Sequence, residues 1–241
     1  MLVVALDTTT RGGSLALVRD GGVLELFAGD PTRTHATRLP GDILDCLTRH
    51  QLALRDIDLY GVAVGPGSFT GLRIGIATIQ GLAFASGRPV VGVSALDALV
   101  EAADGVVAAG AAEGCARAAW MDAQRGEVYG RLYRRLDGRW EPRGEPAVHT
   151  PAGMLAAWAP ALDGAAAEFV GDGAVAHADA LQGLLSEGAR LVRPVPPLAA
   201  AIAAIAFRRQ SEAGPPHRIR PLYVRRPDAE LARERRQGGA S

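Results

Sequence analysis

The nonapeptide GPGSFTGLR, Gly65 to Arg73, follows the apolar run LYGVAVG and leads into IGIATIQGLAFAS. A strand that turns through glycines into a helix aims free backbone N–H groups at one point, an arrangement that holds anions. Gly65, Gly67 and Ser68 are therefore candidate nucleotide or anion contacts. The spacing is G-x-G-x-x-x-G, one residue off the dinucleotide fingerprint, and no GK[ST] follows. The competing reading is that the glycines permit a tight turn, with Ser68 or Thr70 capping the helix. Asp7 and Thr8, at the head of DTTT, end the first apolar run and are the other candidate contacts. A side chain at Thr8 restricts close approach of a phosphate to the backbone. Asp122, near Arg125 and Glu127, is a second carboxylate at a strand end and reads as an ion-pair or turn residue.

The remaining polar residues exclude several chemistries. His35, His50, His149, His177 and His217 have no histidine four positions on, and the residue four after His35 is Leu39. The helical H-x-x-x-H metal clamp is absent, so no metal site is expected. Cys46 and Cys115 stand far apart with no ligand-spaced neighbour. The sequence contains no lysine, which removes Schiff-base chemistry and the Walker lysine. No G-x-S-x-G elbow is present. Lys+Arg and Asp+Glu both count 26, so no net charge draws the chain to nucleic acid.

The helix after the glycine loop has an unusual wheel. Leu72, Ile76, Ile79 and Ala83 form one apolar face, and Ile74, Ala77, Thr78, Gly81, Phe84 and Ala85 form another. Only Arg73 and Gln80 separate them as a polar stripe. A helix lying on a sheet needs one apolar face, so the second one calls for a cover. The small residues Ala77, Gly81 and Ala85 would let a helix of a partner approach closely, with Ile43 and Leu47 of the preceding helix alongside. Packing by helices of the same chain is the alternative.

These residues are positioned by an ordered series of elements. LVVALDT, SLALVRD and VLELFAG, divided by RGG and GG turns, read as a three-stranded meander over residues 2 to 28. GDILDCLTRHQ reads as a helix, LYGVAVG as a buried strand, PVVGV as another strand, and SALDALVEAA as a helix capped by Ser94. The second half repeats the series: three strands from ARAAWMDAQ to WEPRGEPAVH, the helix PAGMLAAWAPAL, the strand AEFVG, the helix HADALQGLLSEG, the strand ARLVRP and a closing helix. The fold expected is α/β, with duplicated actin-like (ASKHA, ribonuclease H-like) βββαβαβα lobes. The first lobe spans 1–103 and the second, degenerate lobe 104–212, with a closing helix at 197–210 that packs back on the first lobe. Residues 213–241 are expected to be a surface tail. The N-terminus reads as a strand and not a signal peptide, and the longest apolar run is too short to span a membrane, so a cytoplasmic protein is expected.

The blocks VALDTTTRGGSLAL, VAVGPGSFTGLRIGIATIQGLA, VSALDAL, MDAQRGEVYGRLY, FVGDGA and RPLYVRRPDAE together resemble the TsaB (YeaZ) family. The match runs through nearly the whole chain. The resemblance implies a non-catalytic subunit of the bacterial complex that installs threonylcarbamoyl on the adenosine beside the anticodon of tRNA. In that family the catalytic TsaD subunit shares the fold and carries the metal-binding histidine pair, while a TsaE-type ATPase joins them. The resemblance further implies pairing with TsaD through helices of the first lobe, homodimers in isolation, and contact with tRNA only through the complex. No cofactor is expected to bind tightly, with ATP or ADP placed at the subunit interface. The rival reading is an actin-like small-molecule kinase, which would bind and hydrolyse ATP alone.

Overall fold

The computed structural model describes residues 1–30, 32–107, 111–162 and 166–225. Leu2–Asp7 (β1), Ser14–Arg19 (β2) and Gly22–Ala28 (β3) form the antiparallel meander expected at the N-terminus. His35–Arg49 (α1) leads to Leu59–Gly65 (β4), Phe69–Ser86 (α2), Val90–Ser94 (β5) and Ala95–Ala102 (α3). β4 joins β1 in parallel and β5 joins β4, so the sheet order is β3-β2-β1-β4-β5.

The second half builds the same sheet. Ala116–Asp122 (β6), Val128–Leu136 (β7) and Arg139–His149 (β8) form its meander, and Pro151–Leu162 is α4. Ala167–Val170 (β9) and Arg190–Leu191 (β10) complete the order β10-β9-β6-β7-β8. Counted from β1 and from β6, the two orders are identical, which makes the chain a duplicated α/β protein. The glycine loop expected at GDG instead opens a short helix, Asp172–Ala176 (α5), and the helix expected over 177–188 is a 3-10 turn at Ala178–Leu181 followed by Gln182–Ser186 (α6). α5 starts early because Asp172 folds back to accept from the N–H groups of Gly173 (2.9 Å) and Asp122 (3.0 Å).

Every residue of β1 is buried, which requires cover on both faces of its sheet. Leu2, Val4 and Leu6 face the outer helices α1 and α2, meeting Ile43, Leu47, Ile76 and Ile79. Val3 and Ala5 face inward, where α3 and Ala199–Arg208 (α7) form a central helical layer. That layer also touches Ala119, Met121 and Tyr133 of the second sheet, so both lobes share one core. Small residues make the layer thin: a Cβ on Gly61 of β4 would lie 3.2 Å from both Ala206 Cβ and Ile202 Cγ2 of α7. Beside it, the fully buried Arg117 of β6 donates to Glu168 of β9 (2.6 Å), to the Val100 carbonyl (2.6 Å) and to Asp104 (2.7 Å). Its guanidinium lies 4.0 Å from the centre of the Trp140 ring. Both lobes therefore meet on one paired buried cation.

Two segments differ from their expected extent. α1 begins at His35, well before Gly41, and carries Pro40 inside it. Arg38 holds the early turns by pairing with Asp42 (2.7 Å) and by donating to the Gly12 carbonyl. Residues 213–225 run as a strap over α2 and are not a loose tail. Gly214 bridges Val90, Gln80 Nε2 donates to the carbonyls of Pro216 (2.8 Å) and Ile219 (3.2 Å), and Leu222 N donates to Val64 O (2.6 Å). The end of the expected tail, 226–241, and residues 108–110 of the expected lobe boundary lie outside the described residues.

The seat of α2 is set by two glycines one turn apart. A Cβ on Gly71 would lie 2.1 Å from Thr8 O, and one on Gly75 would lie 2.1 Å from Thr8 Oγ1. Gly81, on the far face, has no atom within 4 Å of a Cβ. Gly75→Ala is expected to destabilise by about 1–3 kcal/mol, since neither backbone can retreat from a packed core. Gly81→Ala should instead stabilise by about 0.5–1 kcal/mol through helix propensity alone. Urea unfolding of the two variants checks this; equal effects of the same sign would contradict the seat.

Candidate docking face and interlobe groove

α2 forms where the glycine loop ends. Ser68 is its N-cap, with Oγ accepting from Gly71 N at 3.2 Å, and Gly87 at φ 66° stops it in the left-handed conformation. Leu72, Ile76, Ile79 and Ala83 are buried against the sheet, as the wheel predicts. The opposite face is left open: Ala77, Gly81 and Ala85 are exposed, Ile74 and Thr78 are half-buried, and Phe84 is 82% exposed. Together these residues form an exposed, mostly apolar helix face that its own chain does not cover.

Ile43 and Leu47 require a correction. They were expected beside that face, yet they are 1% and 2% exposed and belong to the core under α1. α1 has a single apolar stripe, Leu39, Ile43, Cys46 and Leu47, and the sheet takes all of it. Leu44, 53% exposed, is the large apolar residue of α1 left outside, and Phe69 is exposed in the first turn of α2. Leu44 could have been found as the one leucine off the stripe. Phe69 could have been found four residues before Arg73, on the row that continues to Ala77, Gly81 and Ala85.

The candidate anion contacts come together, but face each other. Asp7 is buried and accepts from Thr9 N (2.8 Å), Thr9 Oγ1 (2.6 Å) and Thr10 Oγ1 (2.9 Å). Burial outweighs these bonds and pushes its carboxyl above the ordinary range. Thr8 is buried beneath α2, and its hydroxyl has no hydrogen-bond partner. Ser68 N donates to Thr9 O (3.0 Å), and a Cβ on Gly67 would lie 2.5 Å from Thr9 Cβ. Gly65 lies beneath the strap, where a Cβ would meet Leu222 O at 2.7 Å. The two loops thus close on one another, and of the five candidates only Ser68 is exposed.

Gly67 and Ser68 also edge a groove of about 570 Å³ between the lobes. Its opposite wall is the turn after β6, where Asp122 accepts from Gln124 N (2.8 Å) and Gln124 Nε2 (2.6 Å), closing the turn. The strap forms its floor and rim. Tyr223 stacks on Phe69 with ring centres 5.5 Å apart, and Arg73 lies 4.4 Å over the Phe69 ring. Arg225 fastens the strap to the second lobe through the Ala123 carbonyl (2.7 Å) and the Glu127 carboxylate.

The half-buried His35 is held by the Thr10 carbonyl (3.2 Å) and by Arg38 (3.1 Å). Burial and the Arg38 charge lower its basicity. Among the described residues, no group of three His, Cys, Asp or Glu side chains is placed to hold a metal ion. No helix among them is long and apolar enough to cross a membrane.

Comparison with known proteins gives concordant results. The family described as "TsaD: tRNA N6-adenosine threonylcarbamoyltransferase" matches residues 19–224. The Escherichia coli "tRNA threonylcarbamoyladenosine biosynthesis protein TsaB" is 39% identical over 153 residues, covering 63% of each chain. The Haemophilus influenzae protein of the same name is 35% identical, with 52% of its length covered. The matches thus span about half to three-fifths of these curated relatives. The crystal structure of YeaZ from Pseudomonas aeruginosa superposes with a TM-score of 0.73 at 30% identity, covering 92% of this chain and 99% of that one. A Thermus thermophilus ROK hexokinase, at 16% identity and a TM-score of 0.51, shares the fold alone.

Two measurements check the closed loops. Thr8→Val removes a buried hydroxyl that has no partner while keeping its shape, and should be neutral or stabilising by up to about 1 kcal/mol; a loss above that would mean the hydroxyl has work to do. For Asp7, a folded-state value above 3.8 means the stability it contributes is full below pH 3.8 and is lost as pH rises through the raised value. The unfolding free energy of wild type relative to Asp7→Asn is therefore expected to fall with rising pH. A difference that grows with pH would reverse the sign.

Proposed function

The chain belongs to the TsaB (YeaZ) family, within the wider family of tRNA N6-adenosine threonylcarbamoyltransferases, and from that membership we propose that it is the non-catalytic partner of a TsaD-type subunit. The complex they form installs threonylcarbamoyl on the adenosine next to the anticodon in tRNA. The observation that carries this reading is the outer face of α2. Its own chain covers Leu72, Ile76, Ile79 and Ala83 and leaves Ala77, Gly81, Phe84 and Ala85 to solvent. A stripe of small residues flanked by one large ring is shaped to receive a helix at short distance, the ring serving as the anchor.

The loop geometry supports an accessory role over a kinase. In a nucleotide-phosphate site, backbone N–H groups must be free to meet oxygen. Here Ser68 N is bonded to Thr9 O, and Gly71 and Gly75 rest on Thr8. The same α2 face would serve a homodimer when TsaD is absent. Binding of a TsaE-type ATPase, and of ATP or ADP at the subunit boundary, belongs to the assembled complex in this reading.

Gly81→Arg tests it. A side chain there enters open space, so the variant should keep the wild-type unfolding midpoint while its affinity for the TsaD-type subunit falls about a hundredfold or more. Calorimetric titration of the two purified subunits reads this out. An unchanged dissociation constant would remove the α2 face from the interface.

A further inference from the structure

Charge on this neutral chain is sorted. Residues 59–96, which include β4, α2 and β5, contain Arg73 and Arg88 and no Asp or Glu. Residues 213–225, the strap, contain Arg218, Arg220 and Arg225 and again no Asp or Glu. Several arginines elsewhere are matched to carboxylates, as in Arg117 with Glu168, Arg135 with Asp104 and Arg208 with Glu101. Among the described residues, Arg73, Arg218 and Arg220 have no carboxylate partner, and all three are exposed.

The geometry points to a direct RNA contact on the strap: we propose that Arg218 and Arg220, with Arg73 and the Phe69–Tyr223 pair, bind the phosphodiester backbone of RNA. The inference rests on the proposed place of the chain in a tRNA-modifying complex and goes beyond it, because there tRNA is reached only through the partner. Three features fit this ligand. Guanidinium groups pair bidentately with phosphate oxygens. The aromatic pair, 48% and 39% exposed and capped by Arg73, offers a platform on which an unpaired base can stack. The cations are also held in place beforehand: Gln80, Val90 and Val64 bind the strap backbone, and Arg220 donates to the His217 carbonyl at 2.6 Å. Little ordering cost remains on binding. The strap crosses α2 at Gln80 and ends at its N-terminal turn, beside the face that carries Gly81 and Phe84.

The test uses the full chain, alone and with the TsaD-type subunit, and an unmodified fluorescein-labelled tRNA transcript followed by anisotropy over a salt series. Arg218→Gln with Arg220→Gln should weaken binding about tenfold and lower the slope of log K against log salt by roughly 1.5. Arg218→Lys with Arg220→Lys, which keeps both charges, should restore most of the affinity. Arg139→Gln with Arg143→Gln, an equal charge loss on β8, should leave RNA binding unchanged. Unaltered tRNA affinity and slope in the strap variant overturn the proposal, as does equal weakening by the β8 variant. A strap variant that loses affinity for the TsaD-type subunit but not for tRNA also overturns it, assigning the arginines to an acidic protein face. Failure of wild type to bind the TsaD-type subunit, with RNA binding by the isolated chain still sensitive to the strap, would sink the complex and spare this contact.

Discussion

The structure depends on how closely α2 can approach the end of β1. Gly71 and Gly75 lie one helical turn apart, and Thr8 occupies the space their missing side chains leave. That contact places the first turns of α2 directly over the β1 loop. It also fixes the rotation of the helix. With 75 turned inward, 77 and 81 point outward, because residues two or six positions away lie on the other side of a helix of 3.6 residues per turn. Closing the loop and leaving 77 and 81 exposed are one geometric event.

The second constraint is the shared central layer. Two sheets whose central strands are buried on both faces would need four layers of helices; here α3 and α7 serve both lobes from a single layer. Alanine and glycine on the facing strands and on α7 permit this, since larger side chains would push the lobes apart. The buried Arg117 works within that limit. Its charge is balanced by Glu168 and Asp104 and its guanidinium is stacked on Trp140, so removing either carboxylate would strand a cation in the core. Lobes joined this way are poorly suited to the wide hinge opening of a substrate-binding kinase.

The strap completes the assembly from the other side. It leaves the first lobe at Val90, crosses α2, passes Gly65 and fastens to the second lobe at Glu127. Each end of the interlobe groove is thereby tied to the helix that carries the docking face. The outer face of α2 and the groove are connected through a segment with its own backbone hydrogen bonds, not through loose side chains.

Much of this was legible from residue order. Period-two runs divided by glycine turns located the meanders, the repeated series revealed the duplication, and the two-faced wheel of α2 identified which residues would remain outside. Those are local signals, set by neighbours within a few positions. What needed the tertiary structure was everything decided by distant partners. Ile43 and Leu47 share helical spacing with a docking face but were claimed by the sheet, and Leu44 took the open position. The strap reads as a polar, proline-rich end because its partners, Val64, Gln80 and Val90, lie more than a hundred residues away. The glycine loop spells a tight turn into a helix in one dimension; that Thr8, more than sixty positions away, fills the space beneath its glycines is decided only by packing. Periodicity reports which face of an element is apolar, and only packing decides what covers it.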